Sequence, residues 1–582
     1  MPAQVTTHST DVLVVGGGIG GLAAAIRARE NGAAVTVLEK ANTERSGLAG
    51  SGIDHIQSYI PEVHEKIGYT EADLANDQFE FGGNLGGFRR RDLTDYYAYH
   101  SAKDVIELEK YGLRFRFEDS DLPGGFRVVP QFHNVPTSYH FEGRDVKRKL
   151  TEQALARGAV ILNRQHVRTL LKDGGAVTGA VAVGTRDERI TVVNAKTTIL
   201  ATSGVGSRLS SSATGSDTFE NFGAPTASIG SGKILAAKAG AEVVNLEFTN
   251  LGEFAYSFLN YSFTVGLPSG SWWPAGRIVD EEGNVVVDRN RSLPWTEADY
   301  KKKYRALVDH YHEQRSRIAP LLIQGKALYF DLHEATDAEL AYIWWSLGHE
   351  GKTGVMKRHL EKNGVNLRTA RFPLRVAGRG TPVLAGIWVK DTTTETNVRN
   401  LYASGNEPAG TGMPLPVAGG ALVYGYRSGE QAALRAKTLA PPADVSAPYV
   451  EALAGQAQEI RSRKEGDPWR LAERGLQVLI DNALGKAYTD KSVALTQQQL
   501  RRQRESLRFS AGNPHELSRV FEVLDLYDLA ELVLASIRER KSSLAPFVRL
   551  DGADSPSEKY GDSVGVYWEG EALKAKRLSN LT

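Results

Sequence analysis

The chain has no cysteine in its 582 residues. That excludes disulfides, thiolate zinc sites, cysteine nucleophiles, cysteinyl-flavin links and iron–sulfur clusters held by this chain's own thiolates. Charge of one sign is not in surplus either: 70 Lys and Arg stand against 69 Asp and Glu, a net +1. Neutralising a nucleic-acid backbone needs a basic surplus or patch, and neither occurs, which argues against a general nucleic-acid binder. No apolar run reaches the length of a membrane-spanning helix. Met1 to Thr10 is polar and lacks the basic-then-apolar order of a signal peptide, so the expected compartment is the cytoplasm. Glycine, by contrast, is abundant. Its 59 copies cluster near residues 16–21, 47–52, 204–232 and 403–429. Glycine beside apolar runs marks backbone that approaches a ligand closely.

Asp11-Val-Leu-Val-Val15 is a short continuous apolar run, as a buried parallel strand requires. It leads into Gly16-Gly17-Gly18-Ile19-Gly20-Gly21, after which Leu22, Ala25, Ile26 and Arg29 recur at helical spacing. Ala34 to Leu38 is a second apolar strand that ends at Glu39. Gly16 permits a tight turn, Gly18 lets the backbone reach a pyrophosphate, and Gly21 lets helix and strand pack closely. The helix start at Ile19 and Gly20 favours negative phosphates. Glu39 can accept hydrogen bonds from ribose hydroxyls. This motif does not separate FAD from NAD. The next segment does. Lys40 leads into Arg45, Ser46 and Gly47, then Gly50, Ser51 and Gly52. A second glycine-rich, hydroxyl-bearing loop directly after the ribose acid suits FAD that stays bound. An NAD-dependent dehydrogenase releases its cofactor and usually continues into a helix there.

On these residues, Glu44 to Ile56 above all, the chain resembles the flavoprotein subunits of the succinate dehydrogenase and fumarate reductase superfamily. The motif is most similar to the adenylylsulfate reductase α subunit. The resemblance recurs in order along the chain. Phe141 to Asp145, then Leu150 to Val167, is similar to the family's strand that reaches the adenine, with Val167 as a backbone contact. Thr198 to Gly204 resembles its return to the cofactor, which implies Ala201, Thr202, Ser203 and Gly204. Ser231, in Ile229 to Val243, stands where the family often has Asp. Thr396 to Glu407 resembles the closing FAD strand, with Gly405, Asn406 and Glu407. Ala421 and Leu422 follow at a helix start under the flavin, whose positive end would stabilise a reduced, anionic ring.

The resemblance implies an α/β fold with a Rossmann-like FAD-binding domain in two parts, residues 1–240 and 372–437. An α+β capping domain, 241–371, is inserted between them. A C-terminal helical domain, 438–582, follows Pro441-Pro442. In the cap, Glu282-Gly283-Asn284 reads as a hairpin turn, Val285 to Val287 as its return strand and Tyr329-Phe-Asp-Leu as another strand. Helical periodicity is expected at Ala298–Ser316, Asp337–Asn363, Tyr449–Arg463, Trp469–Ala483, Gln497–Arg508 and His515–Lys541. In the last of these, Leu517, Val520, Phe521 and Leu524 form an apolar stripe that reads as core packing.

The reaction is less legible. Dicarboxylate-reducing members carry an Arg just before the last FAD helix, but Gly412 to Gly420 here has none. Missing bidentate Arg contacts are not easily replaced, which argues against succinate or fumarate. Where dehydrogenases of the family present a flavin-linking His, this chain reads Arg45-Ser-Gly-Leu-Ala-Gly, so the FAD is expected to be noncovalent. Arg305 falls about where the family's proton-shuttle Arg lies, although a solvated helix Arg is the alternative. Trp272-Trp273 precede Arg277 beside a glycine turn, a pair suited to stacking on a planar substrate and carrying Arg277 as a candidate catalytic contact for an anion, or simply to cap core. Arg375 and Arg379 are candidate anion anchors. His133 and His140 are acid–base candidates or satisfied structural histidines. His310, His312 and Glu313 do not share a helix face, so no metal site is expected.

The expected function is an FAD oxidoreductase that moves two electrons through flavin N5, with a small or planar anionic substrate under a mobile cap. The resemblance implies an adenylyl-sulfur compound and a ferredoxin-like iron–sulfur partner. The alternatives are a self-contained carbon–carbon dehydrogenase or reductase, and a noncatalytic flavoprotein.

Overall fold

Val12, Leu13 and Val14 are wholly buried because their strand lies inside a parallel sheet covered on both faces, where an uninterrupted apolar run is stable. The computed structural model describes residues 4–579 except 85–89, 119, 121, 128–136, 204–207, 210–226, 249–252, 259–260, 264–275, 290–320, 322–325, 347–350, 378–384, 412–416, 485–486, 544–546 and 555–561. Strand Val5–Val15 pairs in parallel with Val35–Glu39 on one side and Ile190–Leu200 on the other. Val160–Asn163 extends the sheet beyond Val35–Glu39, also in parallel. Ile190–Leu200 is shared. Its first half pairs with the antiparallel strand Ala176–Gly184, and its last three residues pair in parallel with Leu401–Ala403. Gln165–Asp173 completes the seven strands. Residues far apart in the chain therefore end at one edge of one sheet.

Helix Ile19–Glu30 lies on this sheet against helix Val417–Ala436. Their approach depends on absent side chains. A Cβ on Gly425 would stand 2.7 Å from the Ala23 Cβ, and one on Gly429 would stand 2.2 Å from the Ala24 carbonyl oxygen. The i, i+4 spacing places both glycines on the contact face.

A six-stranded antiparallel sheet forms a second body, in the order Tyr261–Phe263, Glu253–Phe258, Arg371–Ala377, Leu328–Asp331, Arg277–Asp280, Val285–Val287. The turn at 282–284 is a hairpin with Gly283 at φ +90°. The stretch expected as one helix over Asp337–Asn363 is two helices, Asp337–Ser346 and Gly351–Lys362. The expected helix over 298–316 lies outside the described residues.

The C-terminal region carries helices Ala447–Ser462, Trp469–Ala483, Asp490–Ser506 and Pro514–Glu539. The third begins seven residues before the apolar periodicity suggests. A capping box starts it: the Ser492 N–H donates to Thr489 Oγ1 and the Thr489 N–H to Ser492 Oγ. The chain does not stay helical to its end. Hairpin strands Ser563–Glu569 and Ala572–Leu578 join Val243–Val244 and Gly386–Ile387 in a four-stranded antiparallel sheet. Helix Pro514–Glu539 is buried almost all round rather than along one stripe. At its end Arg540 meets Glu247 at 2.5 Å, both side chains fully buried, and the Ser536 hydroxyl donates to the same carboxylate. Among the described residues, no helix is long and apolar enough to cross a membrane.

One substitution made at two helical glycines should have opposite signs. Gly429→Ala forces two helices apart and should cost about 1–3 kcal/mol or more. A Cβ on Gly455 meets nothing within 4 Å, so Gly455→Ala should stabilise by about 0.5–1 kcal/mol. Urea unfolding of both variants checks the pair; a destabilising Gly455→Ala or a neutral Gly429→Ala contradicts the packing described.

Candidate functional site: a dinucleotide cavity at the sheet edge

The parallel strands end at a glycine turn. Gly16 adopts φ +103°, and a Cβ there would lie 2.4 Å from the Ala201 carbonyl oxygen. A Cβ on Gly21 would lie 1.9 Å from the Gly16 oxygen. Gly21 thus lets the helix begin directly on the turn and lies behind the cavity wall. Gly18 is the N-cap of helix Ile19–Glu30 and has no side-chain cap. A Cβ on Gly18 would meet nothing closer than 3.9 Å, so its bare face is open to a ligand. The first helical N–H groups of Ile19, Gly20 and Gly21 form a partial positive charge there.

Glu39 is buried and fixes the turn. Its Oε2 accepts from the Gly17 N–H at 2.7 Å and its Oε1 from the Ala41 N–H at 2.7 Å. A carboxylate oxygen has a second lone pair, so each can still accept a hydroxyl donor.

These residues line a cavity of about 380 Å³, within the roughly 300–1,000 Å³ range of small-molecule sites. Gly16, Gly18, Ile19 and Gly20 form one wall, with Glu39 and Lys40 beside them. From the second glycine loop Arg45, Ser46, Gly47, Leu48 and Ala49 reach the cavity. Gly47 sits at φ +75° with its Cβ position 3.2 Å from the Gly18 Cα, so the two loops lean on each other. Gly50 and Gly52 pack against Arg45 and Arg144 backbone and shape the loop from behind, while Ser51 is exposed. Ala201, Thr202 and Ser203 form the opposite wall together with Ser231. Gly405, Asn406, Ala418 and Ala421 close it from the far end of the chain. Leu422 faces the core instead.

Glu407 does not line the cavity. It is fully buried behind the wall, where its Oε1 accepts from the Thr202 N–H at 3.0 Å and the Thr202 hydroxyl at 2.7 Å. Thr202 Oγ1 in turn accepts from the Gly232 N–H at 2.7 Å, and Lys233 lies 3.7 Å from Glu407 Oε2. Burial lowers the Lys233 pKa and Glu407 opposes that shift.

Gln165, His166 and Val167 form the end next to Lys40. Burial pushes the His166 pKa down to about 4, so the ring is neutral near pH 7. Its Nε2 is 3.3 Å from Asp525, which also binds Arg168 at 2.6 Å. Lys40 meets Glu522 at 2.9 Å, and Glu522 also pairs with Arg208 and Arg519. Burial raises both carboxyl pKa values, but the cations outweigh it and hold both well below the usual range. Helix Pro514–Glu539 is therefore pinned to this end by buried ion pairs.

The cavity's chemistry fits FAD. Ser46 Oγ, Ser203 Oγ and His166 Nδ1 are buried polar atoms on cavity-lining residues with no partner among the described residues. Such atoms cost free energy unless a ligand or water meets them.

The catalytic candidates are not gathered here. His140 is buried on strand Ser138–Gly143, where its Nδ1 donates to the Asp54 carbonyl oxygen at 2.9 Å; it does not line the cavity. Arg277 belongs to the six-stranded sheet and is bound by Asp331 at 3.1 Å and Glu334 at 2.8 Å. Two carboxylates therefore already face the guanidinium that is a candidate for an anion. Arg375 lies on strand Arg371–Ala377, in register with Ala255. Arg305, Arg379, Trp272, Trp273, Gly204, His133, His310, His312 and Glu313 lie outside the described residues. Sequence reasoning missed Gln165 and His166, although Val167 pointed to their strand. It also missed Glu522 and Asp525, whose only signal was acids inside an apolar helix.

Strand, glycine turn, helix, ribose acid and a second glycine loop define a dinucleotide-binding flavoprotein. The chain belongs to the FAD binding domain family, whose profile matches residues 11–419. It is an FAD-dependent oxidoreductase of the fumarate reductase and succinate dehydrogenase superfamily. A fumarate reductase (CoM/CoB) chain of Methanothermobacter marburgensis is 23% identical over 74% of this chain and 73% of its own length. The fumarate reductase flavoprotein subunit of Escherichia coli is 24% identical over 94% of this chain and 89% of its own. The adenylylsulfate reductase structure from Archaeoglobus fulgidus has the same fold, with a TM-score of 0.78 at 20% identity over 100% of this chain and 97% of that one.

Removing Asp525 leaves Arg168 buried without its carboxylate. Asp525→Asn should cost about 3–5 kcal/mol in urea unfolding; a loss below about 1 kcal/mol contradicts the pinned helix. Both carboxyl pKa values are depressed in the fold, so their contribution is full above the unfolded value near 4 and is lost as pH falls further. FAD fluorescence should accordingly appear in acid titration at a higher pH in Asp525→Asn than in the wild type.

Proposed function

We propose that this chain is the flavoprotein member of a redox enzyme acting on a small or planar anion other than succinate or fumarate, an adenylyl-sulfur compound being the favoured class. The observation that carries the redox reading is the second glycine loop, Arg45 to Ala49, resting on the first at Gly18. The two loops embrace one extended dinucleotide. FAD, when bound, supplies two-electron chemistry at its flavin ring. The chain's own residues supply the rest: helix Ile19–Glu30 meets the diphosphate, Glu39 the ribose, and the Lys40, His166 and Val167 end the adenine.

Arg45 to Ala49 contains no His, which supports noncovalent FAD. The lack of Arg in Gly412 to Gly420 supports a substrate other than a dicarboxylate. Adenosine-5-phosphosulfate reductase, solved with a covalent sulfite adduct, shares the fold with a TM-score of 0.80 at 21% identity over the whole of this chain; this supports the sulfur class. The candidate cap, expected over 241–371, is the region of the six-stranded sheet, which also takes in strand Arg371–Ala377, one of its two middle strands and the one that carries Arg375. Arg305 and Arg379 remain candidate substrate contacts, with Trp272 and Trp273 as a stacking pair. The chain has no cysteine to hold a cluster of its own, and the resemblance to adenylylsulfate reductase implies a separate iron–sulfur subunit, so a ferredoxin-like iron–sulfur protein is the proposed partner.

The test is anaerobic reduction followed by flavin absorbance. Sulfite with AMP should reduce the flavin and yield an adenylyl sulfate, sulfite alone should give at most an adduct that reverses when sulfite is removed, and succinate, NADH and NADPH should not bleach the protein. Bleaching by succinate alone overturns the substrate class. Rapid bleaching by NADH or NADPH overturns the need for a protein partner and favours a self-contained reductase. Acid precipitation should leave all FAD in the supernatant.

A further inference from the structure

The cavity as described leaves one buried cation without a role. Lys147 sits in the first turn of helix Val146–Ala156, and its side chain is 2% exposed. Lysine is almost never buried to this degree unless it is paired. Its ammonium donates to the carbonyl oxygen of Gly17, in the middle of the glycine turn. This is the one acceptor it meets among the described residues. The Gly17 N–H, on the preceding peptide, is held by Glu39 Oε2. Two adjacent peptides of the turn are thus fixed, one by an anion on its N–H and one by a cation on its C=O, and of the two side chains only Glu39 lines the cavity.

The geometry of the second peptide gives the lysine a task. In a planar trans peptide the C=O and the following N–H point in opposite directions. An ammonium that draws the Gly17 oxygen backward therefore turns the Gly18 N–H forward. Gly18 lines the cavity, and its N–H has no partner among the described residues. We propose that Lys147 is a positioning residue for the cofactor diphosphate, aiming the Gly18 N–H into the cavity and placing one positive charge behind the turn. The inference rests on the FAD reading.

The surroundings make this charge responsive. Burial pushes the Lys147 pKa down to about 7, against the raising effect of Glu39. Among the described residues, no other charged group acts on it. On its own helix, Arg148 pairs at the surface with Asp145 and Glu152, and Lys149 reaches toward Gly112. On the neighbouring helix Ile19–Glu30, Arg27 is paired with Glu30, Asp104 and Glu107, and Arg29 donates to the Arg157 and Ala33 carbonyl oxygens. A diphosphate in front of the turn favours the ammonium form and raises its pKa above the value without cofactor. Binding FAD above pH 7 then takes up a proton, and affinity weakens as pH rises. The stability of the cofactor-free protein runs the other way. The unfolded lysine, with pKa about 10.4, holds its proton where the folded one has lost it, so stability rises with pH between the two values.

The experiment is titration of the cofactor-free full chain with FAD and with riboflavin, by calorimetry in two buffers of different ionisation enthalpy. For the wild type, FAD binding should take up as much as one proton between about pH 7 and about pH 9, and Kd should rise by up to about tenfold per pH unit. Riboflavin, which has no diphosphate, should show neither effect. Lys147→Met should weaken FAD by roughly ten- to hundredfold at pH 7 and flatten the pH profile. It should leave riboflavin binding unchanged, and the cofactor-free protein should stay folded, because the desolvation cost of a buried charge that is lost offsets the Gly17 carbonyl left without its donor. A pH-independent FAD affinity in the wild type overturns the proposal without any variant. So does a Lys147→Met protein that keeps the wild-type slope. Failure of the wild type to bind FAD at any pH overturns the FAD reading itself, a distinguishable result.

Discussion

The approach of Gly16 to the Ala201 carbonyl is the contact on which the site depends. It requires that neither the turn nor the neighbouring strand end carry a side chain between them, and a Cβ held 2.4 Å from the Ala201 oxygen would have no room. Hydrogen bonds from the Gly16 N–H to the Leu38 oxygen and from the Ala201 N–H to the Val15 oxygen lock three strand ends together. Once they are locked, Glu39, the glycine turn and Thr202 face the same space. The two crossing helices extend this economy of atoms, since Gly425 and Gly429 let the segment that carries Gly405 and Asn406 come down on Gly20.

Buried charge is the second constraint. Glu39, Glu407, Lys147 and Lys233 lie in or behind the cavity walls, and Glu522 and Asp525 arrive from helix Pro514–Glu539. Taking such groups out of water costs several kcal/mol each unless partners are well placed. Each carboxylate here holds backbone N–H groups, hydroxyls or cations, so the walls are rigid when every partner is present. Lys147 is the exception. With a single carbonyl acceptor it stays responsive to what occupies the cavity, and a diphosphate is the natural counter-charge.

The FAD half of this molecule was legible because its signals are local. A glycine needed for φ > 0 or close approach, an acid at a strand end and an apolar run between turns all act within a few residues. Arg45 to Ala49 was readable for the same reason. Where reading fell short, the missing information was non-local. His166 looks like an ordinary strand histidine until Asp525, 359 residues later, is placed beside it. Glu407 carried a family motif, yet its carboxylate faces Thr202 rather than the cavity. Nothing near Arg277 in sequence announces its partners Asp331 and Glu334. The closing hairpin, strands Ser563–Glu569 and Ala572–Leu578, is not expected from the helical periodicity that precedes it.

The sequence by itself determined the class of the protein: periodicity, the glycine turn and the acid at residue 39 point to a dinucleotide-binding α/β core, and the second glycine loop with the ordered family motifs points to FAD. The want of cysteine put any iron–sulfur chemistry on another chain. Only the tertiary structure decided which charges neutralise one another, which glycines touch, and which polar atoms are left for a ligand. The physical reason is range. Backbone geometry and hydrophobic periodicity are written in neighbouring residues, whereas desolvation and ion pairing depend on what the fold brings within a few ångströms from anywhere in the chain.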